Sequence, residues 1–295
     1  MLIVVQHYDA FTTEPHRGNP AGIVFDAHQL TDEAMQRIAA QVGFNETTFV
    51  LPSNTADIRL RYFTPGNEMN LCGHATVASF TSLYQRGAFG GRTTLTVETK
   101  AGVLPIAIEL LAGTPYIWMT QAPPQFIPFA GDRAAIAQAI GLDVSDLDTS
   151  LPIVYGSTGI WTLILPVRGL DAMRRMQPQN AQFPALLTEQ PRASIHPICF
   201  ETVDPTANMH ARHFSSPYAG TVEDPVTGTA SGVMGAYHNR YIAPAPSLVI
   251  EQGLEIGRDG RVLVEVNGDT VRISGTAVYT AEFEVELDDS GRLPE

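Results

Sequence analysis

One pattern occurs twice in this chain, and that repetition limits the folds open to it. RYF at Arg61 is followed by an acid in a loop and then by LCGHATVASF, ending at Phe80. RHF at Arg212 is followed by ED and then by TGTASGVMGAY, ending at Tyr237. Each copy reads as Arg-x-Phe on a strand, an acid, and x-Gly-x-Ala at the opening of a helix. Gly73 corresponds to Gly228, an offset of about half the 295 residues. GNPAGIV at Gly18 has a fainter echo in GSTGIWTLI at Gly156. The expectation is a duplicated lobe with a cleft between the copies.

The elements around the repeat fit that frame. Thr31 to Gly43 predicts an amphipathic helix, with Thr31 as N-cap, Asp32 and Glu33 in the first turn, Met35, Ile38, Ala39 and Val42 on one face, and Gly43 as the stop. Gly73 to Arg86 predicts a helix apolar on most sides, and Gly228 to Tyr241 predicts its counterpart. GNP at Gly18 and Gly156 within the strand-rich Ile153 to Val167 read as turns, and Thr93 to Leu111 as a hairpin around Lys100 to Gly102. Strands outnumber helices, so the class is α+β rather than a parallel α/β sheet. Pro123, Pro124 and Pro128 mark Gln121 to Phe129 as a link. The lobes are expected at 1–120 and 121–295, with the last strands free to pack back on the first.

Composition excludes several functions. An apolar fraction of 44% suffices for a sizeable core. A net charge of −13 argues against nucleic acid or an anionic membrane as partner. No apolar run approaches the roughly 20 residues of a membrane span, and MLIVVQHYDAF lacks a basic region of the export type. A cytoplasmic protein with Cys72 and Cys199 reduced is expected. Lys100 is the sole lysine and lies at a hairpin tip, which argues against Schiff-base chemistry. There is no Gly-Lys-Ser/Thr step and no GxGxxG after a strand. His210 and His213 in HARH read as strand residues with no cysteine or carboxylate nearby in sequence to complete a metal set. No metal or cofactor is expected.

Two helices that open on glycine suggest a trap for a small carboxylate. First-turn N–H groups lack helical partners, and glycine lets a ligand approach them. The polar neighbours are Cys72 and His74 at Gly73, and Asp224, Thr227 and Thr229 at Gly228. The helix N-terminus should depress the pKa of His74 and keep it neutral. Glu46 in GFNETTFVL, enclosed by Phe44, Phe49 and Val50, is a candidate to carry a proton near neutrality; a solvent-facing strand residue is the plainer reading.

Taken together, YDAFTTEPHRGNPAGIV, GFNETTFV, RYFTPGNEMNLCGHAT and VEDPVTGTASG resemble the PhzF family of phenazine-biosynthesis-like proteins. The resemblance runs from Val5 to about Phe283. It implies a diaminopimelate epimerase-like fold, with two pseudo-symmetric lobes, each a curved, mostly antiparallel sheet around a central helix. It also implies a homodimer and a cofactor-independent isomerase that moves a proton on a small carboxylated metabolite. Carried over by motif, Glu46 becomes the proton shuttle, with His74 and Asp224 as its catalytic partners. Gly73, Gly228, Thr229, Cys72 and Thr227 become substrate-binding residues. Most relatives have serine where Thr229 stands. The epimerase relative uses a cysteine before each glycine turn; here Thr227 replaces the second, so two-thiol racemisation lacks support. An amino-acid or hydroxy-acid racemase, and a non-catalytic ligand-binding protein on this scaffold, are the alternatives.

Overall fold

The computed structural model describes residues 2–287 and divides into two units, residues 2–120 with 274–287, and residues 121–273. Residues 274–287 thus belong with the first unit rather than with the second half of the chain.

The first unit contains β1 (Leu2–Ala10), β2 (Asn19–Val24), α1 (Asp32–Val42), β3 (Glu46–Leu51), β4 (Ile58–Phe63), β5 (Glu68–Met69), α2 (Gly73–Gln85), β6 (Thr94–Thr99), β7 (Gly102–Leu111) and β8 (Thr114–Thr120). The second contains β9 (Gln125–Pro128), α3 (Arg133–Ala139), β10 (Val154–Ser157), β11 (Trp161–Pro166), α4 (Leu170–Arg175), α5 (Phe183–Leu186), β12 (Ser194–Cys199), β13 (Met209–Ala211), α6 (Gly228–Tyr241), β14 (Ser247–Gln252) and β15 (Gly260–Asn267). β16 (Thr270–Gly275) leads back to the first unit, where β17 (Ala277–Glu286) pairs along the whole of β1.

Strand pairing shows the duplication directly. The first sheet runs β17-β1-β2-β3-β4-β6-β7 and the second β9-β10-β11-β12-β13-β14-β15. In both, successive pairs are antiparallel, antiparallel, parallel, antiparallel, parallel and antiparallel. Parallel neighbours need a crossover. α1 lies in the first crossover of one sheet and α4 and α5 in that of the other; α2 and α6 lie in the second crossovers. β17 fills the slot that β9 fills in the other unit.

α2 is the axis of the first unit. Every residue from His74 to Leu83 is buried, and the helix packs on β1, β2, β3, β8 and β17. A helix buried all round needs a sheet curved around it. Its buried hydroxyls bond within the helix: Ser79 Oγ donates to Ala75 O at 2.7 Å. α1 covers another face of the sheet, where Met35 and Ile38 pack with Phe49, Phe63 and Val285. Its ends follow the sequence reading. Thr31 Oγ1 accepts from Ala34 N at 3.2 Å, and Gly43 takes φ +70°.

Three local readings change. Asn19 and Pro20 belong to β2, and the turn ends at Gly18, φ +58°. Gln125–Pro128 is strand β9 rather than a link. It pairs with β10 at one end of that sheet, where proline is tolerated. Gly156 lies inside β10, not in a turn. Its glycine has a packing cause: a Cβ there would stand 2.3 Å from Val233 Cγ1 of α6. Among the described residues, no helix is long and apolar enough to cross a membrane.

Gly156→Ala should therefore cost about 1–3 kcal/mol by overpacking. Exposed Gly66, where a Cβ meets only Thr64 Oγ1 at 4.0 Å, should tolerate alanine within about 0.5 kcal/mol. Urea midpoints of the two variants check this; equal midpoints would show that α6 does not sit tightly on β10.

Candidate active site

Glu46 opens β3 immediately after the left-handed Gly43 stop, with Ala21 of β2 as its strand neighbour. Val50, four residues on, shares its strand face. Strand alternation puts Phe49 on the opposite face from Glu46, edge-on to Phe63 at 5.4 Å, and Phe44 meets His7 at a tilt and Phe283 edge-on. The carboxylate instead meets the head of α2. Glu46 Oε2 lies 3.2 Å from His74 Nε2, with side-chain exposures of 16% and 8%. This is a close charge contact, although Oε2 makes no aligned hydrogen bond. Cys72 Sγ lies 3.5 Å from His74 Nδ1 and 3.8 Å from Nε2.

The first turn of α2 fixes this group. Cys72 is the N-cap and Gly73 the first helical residue. Thr76 N and Oγ1 both donate to Cys72 O, at 3.1 and 2.6 Å, and the Tyr62 hydroxyl of β4 meets Thr76 Oγ1 at 2.7 Å. The expectation of a depressed His74 pKa is overturned. Burial works against the imidazolium, but Cys72 and Glu46 beside it hold its pKa well above the usual 6.5. Burial, joined by the Glu46 charge, pushes the Cys72 thiol up. The cluster thus sets the Glu46 carboxyl and the Cys72 sulfur beside one buried imidazole. Sequence could not show this, because Glu46 is far from His74 along the chain.

The second glycine turn is built alike and carries different chemistry. Thr227 is the N-cap of α6, and Ser231 Oγ donates to Thr227 O at 2.9 Å, matching Thr76 on Cys72. Thr227 Oγ1 donates to Asp224 Oδ2 at 2.5 Å, so the hydroxyl orients the carboxylate. Gly228 is buried, while Thr229 and Asp224 are half-buried. The Thr229 carbonyl accepts from Thr158 Oγ1 at 3.0 Å. Gln252, which sequence reasoning missed, is fully buried and ties the turn together. Its Oε1 accepts from Thr227 N at 3.1 Å, and its Nε2 donates to Asp224 O at 2.9 Å and to Thr227 Oγ1 at 3.2 Å.

The Arg-x-Phe pairs explain the acid in each loop. Arg61 Nε donates to Glu68 Oε1 at 2.7 Å and stacks over Phe63. Arg212 holds Glu223 through two bonds, at 2.9 and 2.7 Å, and stacks over Phe214. Each pair braces the loop that leads to a glycine turn.

The HARH histidines separate. His210 is fully buried, with Glu251 on Nδ1 at 2.7 Å and Glu255 on Nε2 at 2.9 Å. The carboxylates that sequence proximity failed to supply come from β14 and the turn after it. His213 Nδ1 meets His196 Nδ1 at 3.0 Å.

The family pattern for phenazine biosynthesis-like proteins, PhzC-PhzF, matches residues 8–283. The chain belongs to this family. An uncharacterized isomerase of Bacillus subtilis is 52% identical over 94% of this chain and 96% of its own length. The trans-2,3-dihydro-3-hydroxyanthranilate isomerase of Pseudomonas aeruginosa is 31% identical over 92% of both chains. Among solved structures, a PhzF-family protein of Bacillus anthracis superposes with TM-score 0.94 at 57% identity, covering 97% of this chain and all of the other. A hydroxyproline epimerase from Agrobacterium vitis shares the fold, with TM-score 0.64 at 14% identity over 99% and 94% of the two chains. The PhzF fold is therefore an α+β scaffold of the epimerase kind.

The buried histidines set opposed pH limits on this PhzF-family chain. Burial holds His196 well below 6.5 and lowers His213 too, so both fold neutral. The unfolded chain binds more protons below about 6.5, and stability should fall as pH drops through that value. His210 is the reverse. Burial opposes its charge, but Glu251 and Glu255 raise its pKa to about 8, so its contribution is complete below 6.5 and lost as pH rises through 8. Thermal melts across pH should show a maximum between these limits. His210→Gln should reduce the alkaline decline, leaving the part that His74 supplies; an unchanged alkaline limb would contradict the assignment.

Proposed function

We propose that this chain is a cofactor-independent isomerase that moves a proton between two carbons of a small, conjugated carboxylated metabolite. The observation that carries the reading is the contact of Glu46 with His74 at the head of α2. Glu46 is the base: a substrate C–H breaks, its proton passes to the carboxylate, and the electron pair enters the conjugated system. His74, as imidazolium, donates to the oxygen where that charge collects. Glu46 then returns the proton to a different carbon, and substrate and product have the same composition. First-turn N–H groups behind Gly73 bind the carboxylate. Asp224, Thr227, Gly228 and Thr229 are assigned to substrate binding because their turn duplicates the first.

The relative named for trans-2,3-dihydro-3-hydroxyanthranilate supports a cyclic, unsaturated amino acid as the substrate class. Thr227 supports isomerisation over two-base racemisation: its proton is engaged by Asp224, and a hydroxyl is a poor base.

Incubation with such substrates in heavy water, followed by mass spectrometry, tests the reading. Isomerised product should form, with deuterium wherever the carried proton exchanges with solvent. Glu46→Gln should reduce turnover by about 10²–10⁴-fold with little change in binding. Asp224→Asn should weaken binding as well. Chelator treatment should leave activity intact. If Glu46→Gln retains more than about a tenth of turnover, well short of that loss, Glu46 is not the carrier.

A further inference from the structure

We propose that Glu46, Cys72 and His74 also form a reversible binding site for a borderline-soft divalent cation of the zinc type, and that its occupation silences the proton carrier. This goes beyond the isomerase reading, which involves no metal.

The ligand atoms of these three side chains all lie within 4.8 Å of one another. Tetrahedral zinc, with Zn–S of about 2.3 Å and Zn–N or Zn–O of about 2.0–2.1 Å, sets its ligands roughly 3.3–3.6 Å apart. Here His74 Nε2 stands 3.2 Å from Glu46 Oε2 and 3.8 Å from Cys72 Sγ, and the sulfur and carboxylate ligand atoms stand within 4.8 Å of each other, so side-chain rotations close the arrangement around an ion. Glu46 Oε2 is free of an aligned hydrogen bond and has a lone pair to give. The other two ligands are held in advance, because Thr76 and Tyr62 brace the backbone of Cys72.

The donor set chooses the ion. One thiolate, one imidazole and one carboxylate suit zinc or cobalt, whereas magnesium and calcium require oxygen cages. Three protein ligands leave a fourth position for water or a small anion, the pattern of an open zinc site. Among the described residues, no other group of histidine, cysteine and acidic side chains brings its ligand atoms together in this way. His210, the other buried histidine with carboxylates, has both ring nitrogens engaged.

The balance is explicit. The cation displaces the thiol proton of Cys72, and the imidazolium proton of His74 where it is present, so at least one proton goes to solvent for each ion bound. Bonds form from the metal to Sγ, to a ring nitrogen and to a Glu46 oxygen. The oxygen that would take up a substrate proton is then occupied.

The test is a cobalt titration of the chelator-stripped full chain near neutral pH. One equivalent of Co²⁺ should produce a sulfur-to-cobalt charge-transfer band in the near ultraviolet together with tetrahedral visible bands, and Zn²⁺ should abolish both. Cys72→Ser should lose the charge-transfer band, Cys199→Ser should keep it, and circular dichroism shows whether each variant is folded. Should Cys72→Ser fail to fold, proton release by the wild-type protein decides: one or more protons per ion supports the site, and none overturns it. Absence of a thiolate band at one equivalent, or a band that survives in folded Cys72→Ser, also overturns it. Because the readout is spectroscopic, its failure leaves the isomerase reading untouched, and failure of that reading leaves the metal site testable.

Discussion

A helix with no solvent-facing side has a polar end that something else must answer. α2 is enclosed from His74 to Leu83, so its first-turn N–H groups and positive end of the dipole meet whatever the surrounding strands bring. β3 brings the Glu46 carboxylate, the charge favoured there, and the helix supplies His74 from its own first turn. Fold and site are one constraint: the sheet that buries α2 also places a carboxylate beside an imidazole at its head. The hydroxyl of Thr76, the Tyr62 beneath it and the Arg61–Glu68 brace hold the turn in place.

The repeat, the capped helix at Thr31 and the two glycine helix starts were legible because each depends on neighbours within a few residues. The pairing order was not, and neither was the return of β17 to lie along β1, since strand partners are chosen across the chain. Pro128 disguised β9 as a link, although proline at the end of a sheet breaks no ladder. Gly156 resembled a turn residue; its glycine serves the approach of Val233 instead.

The site was partly legible. Motifs identified Glu46, Cys72 and His74, and the structure brings them together; Asp224 and Thr227 likewise meet in the second unit. What spacing could not give was charge state. The positive end of a helix argues for neutral His74, and that argument fails because a carboxylate from β3 lies closer than the dipole's influence can offset. Gln252 and the Glu251–His210–Glu255 set escaped notice for the same reason, with partners 25 to 45 residues apart. The duplication is also chemically one-sided: Cys72 and His74 correspond to Thr227 and Thr229, so the first unit carries a thiol and an imidazole beside Glu46 while the second offers hydroxyls and one oriented carboxylate.

The central claim is that the Glu46 carboxylate beside it raises the His74 pKa, and nitrogen NMR of histidine-labelled protein tests it without a substrate. At pH 7 the His74 ring nitrogens should both show imidazolium shifts, and Glu46→Gln should move the titration midpoint downward. A neutral His74 at pH 7, or a midpoint indifferent to Glu46→Gln, would contradict the account.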